Sequence, residues 1–356
     1  MTKRLLKWAS CALLCLSLSA WAQVSFQLIP SPVGPTWSNY SLSRNGRVMA
    51  ANYGGEIFRW TGGGGFLDLG TGDLFSSSIA ISADGSTIVA GFPGADRYAN
   101  PARWQQATGW MNLGHASEGC VMDSSWGSGW SVSRGGSVVV GLAWYCPGAE
   151  GFQWTQQSGM VGLGHPTNAS SRASAISADA STIVGFYEDP GFGNRRPVRW
   201  ISGTTDLFAG EQANGEATAV SSDGSRIVGQ AVDSSGYGRA FYYTDAGGLV
   251  WLGTLSGNST DQSVANSVSE GGVVVGFSGD PFAGTGQAFV WGPKSGLRSL
   301  QRALAQNGAV IPSDLLLTDA LVISADGSTI IGTWSDANFN FGSWIARIDR
   351  KTQVLK

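Results

Sequence analysis

One short string constrains this chain more than any other: Ser-x-Asp-Gly-Ser with apolar residues on both sides. It stands at Ile79-Ala80-Ile81-Ser82-Ala83-Asp84-Gly85-Ser86-Thr87-Ile88-Val89, and again at Leu321-Val322-Ile323-Ser324-Ala325-Asp326-Gly327-Ser328-Thr329-Ile330-Ile331. Its opening serine recurs at Ser43, Ser82, Ser133, Ser177, Ser221, Ser269 and Ser324. Copies every 45 or so residues, roughly one supersecondary unit each, mark a repeat architecture. An apolar-aromatic stretch follows in each copy, reading as Trp60, Trp104, Trp154, Trp200, Tyr243, Trp291 and Trp344 in register. A third stretch ends at Leu69, Leu113, Leu163, Leu207, Leu252 and Leu300.

Each unit therefore offers four short strands separated by Gly, Asp and Asn turns. In the second copy they fall over residues 79–81, 88–91, 102–104 and 111–113. Radial repetition of such a unit predicts an all-β fold: a seven-bladed β-propeller of four-stranded antiparallel blades. A linear solenoid is the rival, and it would show distinct capping units. The seventh copy has no clear fourth strand of its own. The orphan segment Val24-Ser25-Phe26-Gln27-Leu28-Ile29 is expected to supply it and close the ring, because closure removes exposed edges. Residues 352–355 are the other candidate.

The 356 residues include 52 Gly and 15 Trp with only 13% charged, which suits a turn-rich β protein. Residues 1–22 read as a signal peptide: Lys3, Arg4 and Lys7, an apolar run over 11–18, and the small-x-small site Ala20-Trp21-Ala22. Export to the periplasm or the extracellular space follows, with 23–356 as one domain. Without the leader's three cations, 19 Lys+Arg face 25 Asp+Glu, a net charge of −6. That excludes a nucleic-acid partner, which needs a basic face. No later apolar stretch reaches about 18 residues, so no transmembrane segment is expected. The remaining cysteines, Cys120 and Cys146, form an even pair, which in an oxidising compartment points to a disulfide.

The repeated residues also carry a resemblance. Ile-Ser-Ala-Asp-Gly, then Ile-Val-Gly, then Ala288-Phe289-Val290-Trp291, and Gly248-Leu249-Val250-Trp251-Leu252-Gly253-Thr254 resemble the HAF repeat of extracellular bacterial proteins. The resemblance covers nearly all of the mature chain and implies secretion and a repeat fold, without tying the chain to one chemistry. Two departures stand out: Ala180 replaces Gly in the fourth turn, and the third unit carries an extra stretch over 119–129. The turn is also similar to the Asp-box hairpin of sialidases, though it lacks the residue between Asp and Gly. It is similar as well to the Ser-x-Asp-Gly turn of TolB-like propellers. Both agree on architecture and not on function.

In such blades the Asp-Gly turns share one face, where Asp bonds its own turn and Gly takes a positive φ. One carboxylate per turn falls short of a calcium site. The opposite face collects the two–three loops and the inter-blade links, where a binding site would be built. Around the third blade, Trp126, Trp130, Trp144 and Tyr145 flank the cysteine pair; they are either a stacking platform for sugar rings or rim packing. His115 and His165 follow Leu-Gly in adjacent units, as repeat inheritance or as an acid–base or metal pair. No spacing supports a metal site, and no cofactor is expected.

Arg97, Arg195, Arg196 and Arg239 are placed to gather on the loop face. With Tyr98, Glu188, Asp189 and Tyr237 they supply the residue types of a sialidase-like site. The first expectation is a monomeric, non-catalytic binding module for a glycan, a cell-surface component or a protein partner. The alternatives are a hydrolase or lyase acting on extracellular glycans, and a structural envelope protein.

Overall fold

The computed structural model describes residues 24–349 except 35, 37, 73–77, 94–98, 115–126, 145–147, 165–168, 190–193, 202–203, 208–213 and 281–282. The chain opens with β1 (Val24–Ile29). Blade one is β2 (Ser38–Leu42), β3 (Val48–Tyr53), β4 (Glu56–Thr61) and β5 (Gly65–Thr71). Blade two is β6 (Ile79–Ile81), β7 (Thr87–Pro93), β8 (Ala99–Gln105) and β9 (Gly109–Asn112). Blade three is β10 (Gly127–Val132), β11 (Val138–Trp144), β12 (Ala149–Thr155) and β13 (Gly159–Gly162). Blade four is β14 (Ser171–Ile176), β15 (Ile183–Glu188), β16 (Arg195–Trp200) and β17 (Thr204–Asp206). Blade five is β18 (Gly215–Val220), β19 (Ile227–Val232), β20 (Gly238–Thr244) and β21 (Gly248–Gly253). Blade six is β22 (Gln262–Val268), β23 (Val274–Gly279), β24 (Gln287–Gly292) and β25 (Gly296–Ser299), followed by the helix α1 (Leu300–Gln306). Blade seven is β26 (Leu316–Ile323), β27 (Thr329–Ser335), β28 (Phe341–Ile348) and, outermost, β1.

Seven four-stranded antiparallel sheets thus form a seven-bladed β-propeller. The first strands neighbour one another around the ring, β26 meeting β2, so they line the centre. Closure is by the N-terminal strand: Val24 pairs with Ile348, Phe26 with Ala346 and Ile29 with Ser343. The core is divided accordingly. Each seam between adjacent blades holds its own apolar cluster, and the closing seam packs Tyr40, Leu42, Met49, Tyr53 and Phe58 against Ile331 and Ile345.

The serine turn earns its repetition through the backbone. All seven opening serines are buried. Ser82 Oγ donates to Asp84 Oδ1 at 2.6 Å and accepts the Thr87 amide at 3.0 Å, while Asp84 Oδ1 accepts the Ser86 amide at 2.9 Å. Neighbouring turns are also joined to each other. The Arg44 amide donates to Ala83 O, Asp84 to Arg134 O, Arg134 to Ala178 O, Ala178 to Ser222 O, Glu270 to Ala325 O and Asp326 to Arg44 O. Only the junction between blades five and six shows no such bond among the described residues, and blade six has the shorter turn, Ser269 to Val273. Arg44 also reaches over blade seven to Glu270, with Nε–Oε1 3.0 Å and Nη2–Oε2 3.1 Å.

A second rule sits eight residues beyond the serine. Gly141, Gly185, Gly229 and Gly332 hold that position, with Gly276 as the blade-six equivalent. A Cβ on any of them would strike the carbonyl of Ser128, Arg172, Glu216, Asp319 or Val264 respectively. In those five blades the first strand carries a β-bulge that presses this carbonyl inward. Blades one and two have Ala51 and Ala90 there, and their first strands show no bulge.

One expectation is corrected. Trp344 pairs with Gly332, so it occupies the position of Phe152, Phe241 and Phe289, not that of Trp154. Ala346 holds the Trp154 position, and Trp344 stacks on Phe26 of the closing strand with centroids 6.0 Å apart. Helix α1 was not expected. Ser299 caps it by accepting the Arg302 amide, and Leu300, Ala303 and Leu304 bury one face of it.

Candidate functional site

The bulges decide which side chains face the centre. The extra residue, three before the turn serine, is Trp130, Ser174, Thr218, Asn266 and Leu321 in blades three to seven. The residue five before it is Ser128, Arg172, Glu216, Val264 and Asp319. Apart from Val264 and Leu321, these positions are polar or carry a polar atom, and they are bonded in two groups, one across blades three to five and one across blades six and seven. Trp130 Nε1 donates to Ser128 Oγ at 2.7 Å. The Arg172 guanidinium lies 3.9 Å from the Trp130 ring and 5.0 Å from Phe186, and it pairs with Glu216. Ser174 Oγ accepts from Arg172 Nε at 3.2 Å and donates to Glu216 Oε1 at 2.7 Å. Thr218 donates to Ala265 O. Asn266 Nδ2 donates to Asp319 Oδ1 at 2.8 Å and to Ala320 O at 3.1 Å. Burial pushes the Asp319 carboxyl up to about 7, against the lowering effect of its bonds to Ala320 and Asn266.

Above this wall, on the face away from the serine turns, opens a cleft of about 380 Å³. Its lining includes Arg195, Glu216, Gln230, Tyr237 and Gln262, drawn from blades four, five and six. Arg195 stacks on Phe186 at 4.1 Å, continuing the series Trp130, Arg172, Phe186, Arg195. Alternating rings and guanidinium planes hold two cations in place at about 0.5–2 kcal/mol per contact. Arg195 lies 3.7 Å from Glu188 and 3.6 Å from Glu216, so both carboxylates flank one guanidinium. Its backbone is fixed by its amide donating to Asn214 Oδ1 at 2.9 Å. Gln230 and Gln262 meet only at 3.5 Å. Tyr237, 37% exposed, stands at the rim on a loop whose Asp233 accepts the Ser235 and Tyr237 amides.

Of the residues singled out in the sequence, Arg195 and Tyr237 line this cleft and Glu188 adjoins it. Arg196 lies next along β16, paired with Tyr187. Arg239 is not a loop-face cation. It is buried, pairs with Asp233 at 3.3 Å and donates to the carbonyls of Ser259 and Asp261, pinning the link into blade six. Trp130 lies inside β10, beneath Arg172. Trp144 ends β11 and is 43% exposed. Arg97, Tyr98, His115, Cys120, Trp126, Tyr145, Cys146 and His165 lie outside the described residues. Sequence reasoning missed Arg172, Glu216, Asn266 and Asp319. The only trace of them in the sequence is a charged or amide side chain three or five residues before four of the turn serines, with no shared residue type to mark it.

No protein-family model and no curated protein matches the chain. Solved structures do. The β-propeller domain of the Trilobed protease from Pyrococcus furiosus aligns with TM-score 0.56 and 11% identity over 86% of this chain and 94% of that one. Oligogalacturonate lyase from Vibrio parahaemolyticus aligns with TM-score 0.54 and 13% identity, covering 94% and 98%. A chain of a mitotic checkpoint complex gives 0.52 and 14%, covering 98% and 99%. At these identities the likeness defines the class, a β-propeller protein, and leaves activity to the site. Among the described residues no helix is long and apolar enough to cross a membrane, and no three His, Cys, Asp or Glu side chains gather to hold a metal.

Proposed function

We propose that the protein is an exported HAF-type repeat propeller that acts as a non-catalytic binding module for a glycan or other cell-surface component. The ligand would seat in the cleft over blades four to six. One observation carries this reading: the carboxylates of the cleft are engaged as counter-ions. Glu216 accepts from Arg172 and Ser174 and faces Arg195, and Glu188 faces Arg195 too. A general acid needs a carboxyl directed at a substrate, and these two are directed at the cations beside them. Amide, hydroxyl and aromatic groups, by contrast, are presented outward.

Incubation of the purified protein with a glycan panel and with cell-envelope fractions tests the reading. Retention without cleavage is expected, and Tyr237→Ala should abolish it. Release of new reducing ends or unsaturated products from any panel member would instead establish the hydrolase or lyase alternative.

A further inference from the structure

The cleft is charge-balanced to a degree that bears on its ligand. Every described cation at or under it faces a carboxylate: Arg172 faces Glu216, Arg195 lies between Glu188 and Glu216, and Arg239 faces Asp233. Arg172 and Glu216 are also largely withdrawn from solvent, at 16% and 17% side-chain exposure. An anionic ligand entering here would meet Glu216 and Glu188 as well as Arg195, so its charge would gain no uncompensated partner.

The hydrogen-bonding groups point the other way. Arg195 is 3.6 and 3.7 Å from its carboxylates, beyond hydrogen-bond reach, so its N–H groups are compensated in charge and still able to donate. Gln230 and Gln262 each carry an amide that both donates and accepts, and the Tyr237 hydroxyl does the same. Sugar hydroxyls have this same dual character. The volume of about 380 Å³ falls at the small end of ligand sites, about 300–1,000 Å³, and fits a short stretch of chain.

We infer that the cleft selects uncharged oligosaccharides over uronic-acid or sialylated ones, with Tyr237 as the stacking face and Gln230, Gln262 and Arg195 reading hydroxyls. This rests on the reading of the cleft as a glycan-binding site. Its chemistry differs from a site for an acidic sugar, where an arginine without an internal counter-ion would pair with the ligand carboxylate.

Titration calorimetry with neutral glucan, xylan, mannan and galactan fragments, set against oligogalacturonate and alginate fragments of equal length, tests it. At least one neutral series should bind, with the acidic chains tenfold or more weaker. Gln262→Ala and Tyr237→Ala should each cost the neutral ligand tenfold or more, while Tyr237→Phe keeps most of its affinity. Glu188→Gln, which removes one of the two carboxylates facing Arg195, should improve oligogalacturonate binding at least fivefold. Preference of the parent protein for the acidic chains, lost in Arg195→Gln, would overturn the inference and leave the binding reading standing. Retention of envelope material that depends on Tyr237, with no sugar of either kind bound, would likewise overturn the neutral-sugar inference alone. Absence of both would remove the two together.

Discussion

Ala180 sits in the left-handed region with φ 62°, where the equivalent turns have glycine. An L side chain there costs about 1–2 kcal/mol, offset in part because the methyl packs against the apolar cluster in the seam between blades three and four. Ala180→Gly should therefore raise stability by about 0.5–1 kcal/mol in urea unfolding. The reverse change at the next turn is not symmetrical. A Cβ on Gly224 would meet Thr182 Oγ1 of the preceding blade at 2.5 Å, and Gly224→Ala should cost more than about 2 kcal/mol. Asp319 sets a pH dependence of its own. Its carboxyl titrates near 7 when folded against 3.8 for an ordinary aspartate, so the folded chain binds a proton that the unfolded chain has lost between those values. Stability from this group falls as pH rises from about 4 to 7 and is flat above. Asp319→Asn should match the parent at pH 4 and exceed it by about 1–2 kcal/mol at pH 8, read from denaturation midpoints at the two pH values. Equal pH profiles for the two proteins would refute the assignment.

At the scale of elements, the serine turns and the bulged strands play different parts. The turn aspartates Asp84, Asp179 and Asp223 are held below the usual carboxylate range. For Asp223, burial pulls upward, and the Ser221 and Ser225 bonds together with Arg226 outweigh it, bringing the group to about 2. Such groups stabilise above pH 4, and that contribution is lost as pH falls through their folded values. Asp223→Asn should accordingly lower stability at neutral pH, flatten the fall between about pH 4 and 2, and converge with the parent at the acid end. The bulged strands answer to the glycine opposite them. Gly276→Ala would drive a methyl into the Val264 carbonyl and the Phe289 ring, and should cost more than about 3 kcal/mol in the same unfolding assay, whereas Ala51→Gly, in an unbulged blade, should cost less than about 1.5. The turns were legible in the sequence because backbone geometry demands the same residues each time. The polar wall under the cleft was not, since a bulge dictates where a side chain points and leaves its identity free, and Arg172, Glu216 and Asn266 share no letter. Trp344 was misaligned for a related reason: an aromatic in the third strand is read by residue type, and the type had moved by two places to meet Phe26. Helix α1, at two turns, is too short to show a period.

For the whole molecule, ring closure was legible from an orphan strand at one end and a missing one at the other. Its energetic weight lies in the six paired residues of β1 and in Val24 and Phe26, which pack into the seam between blades six and seven. Deleting 24–29 should leave β28 as an unpaired edge, giving oligomers in size-exclusion chromatography and loss of the sharp melting transition. A peptide of those residues, added in trans, should restore the parent elution; an unaltered elution and melt in the deleted protein would contradict the closure. The pairing of Val24 with Ile348 also has a temporal meaning. This strand precedes every blade in the chain and waits unpaired until blade seven exists. Contacts of such long reach fold slowly, and here the slowest contact is also the final one. The clasp thus works as a completeness check: a chain cut short at any blade cannot fasten, and its open edge marks it for aggregation or removal.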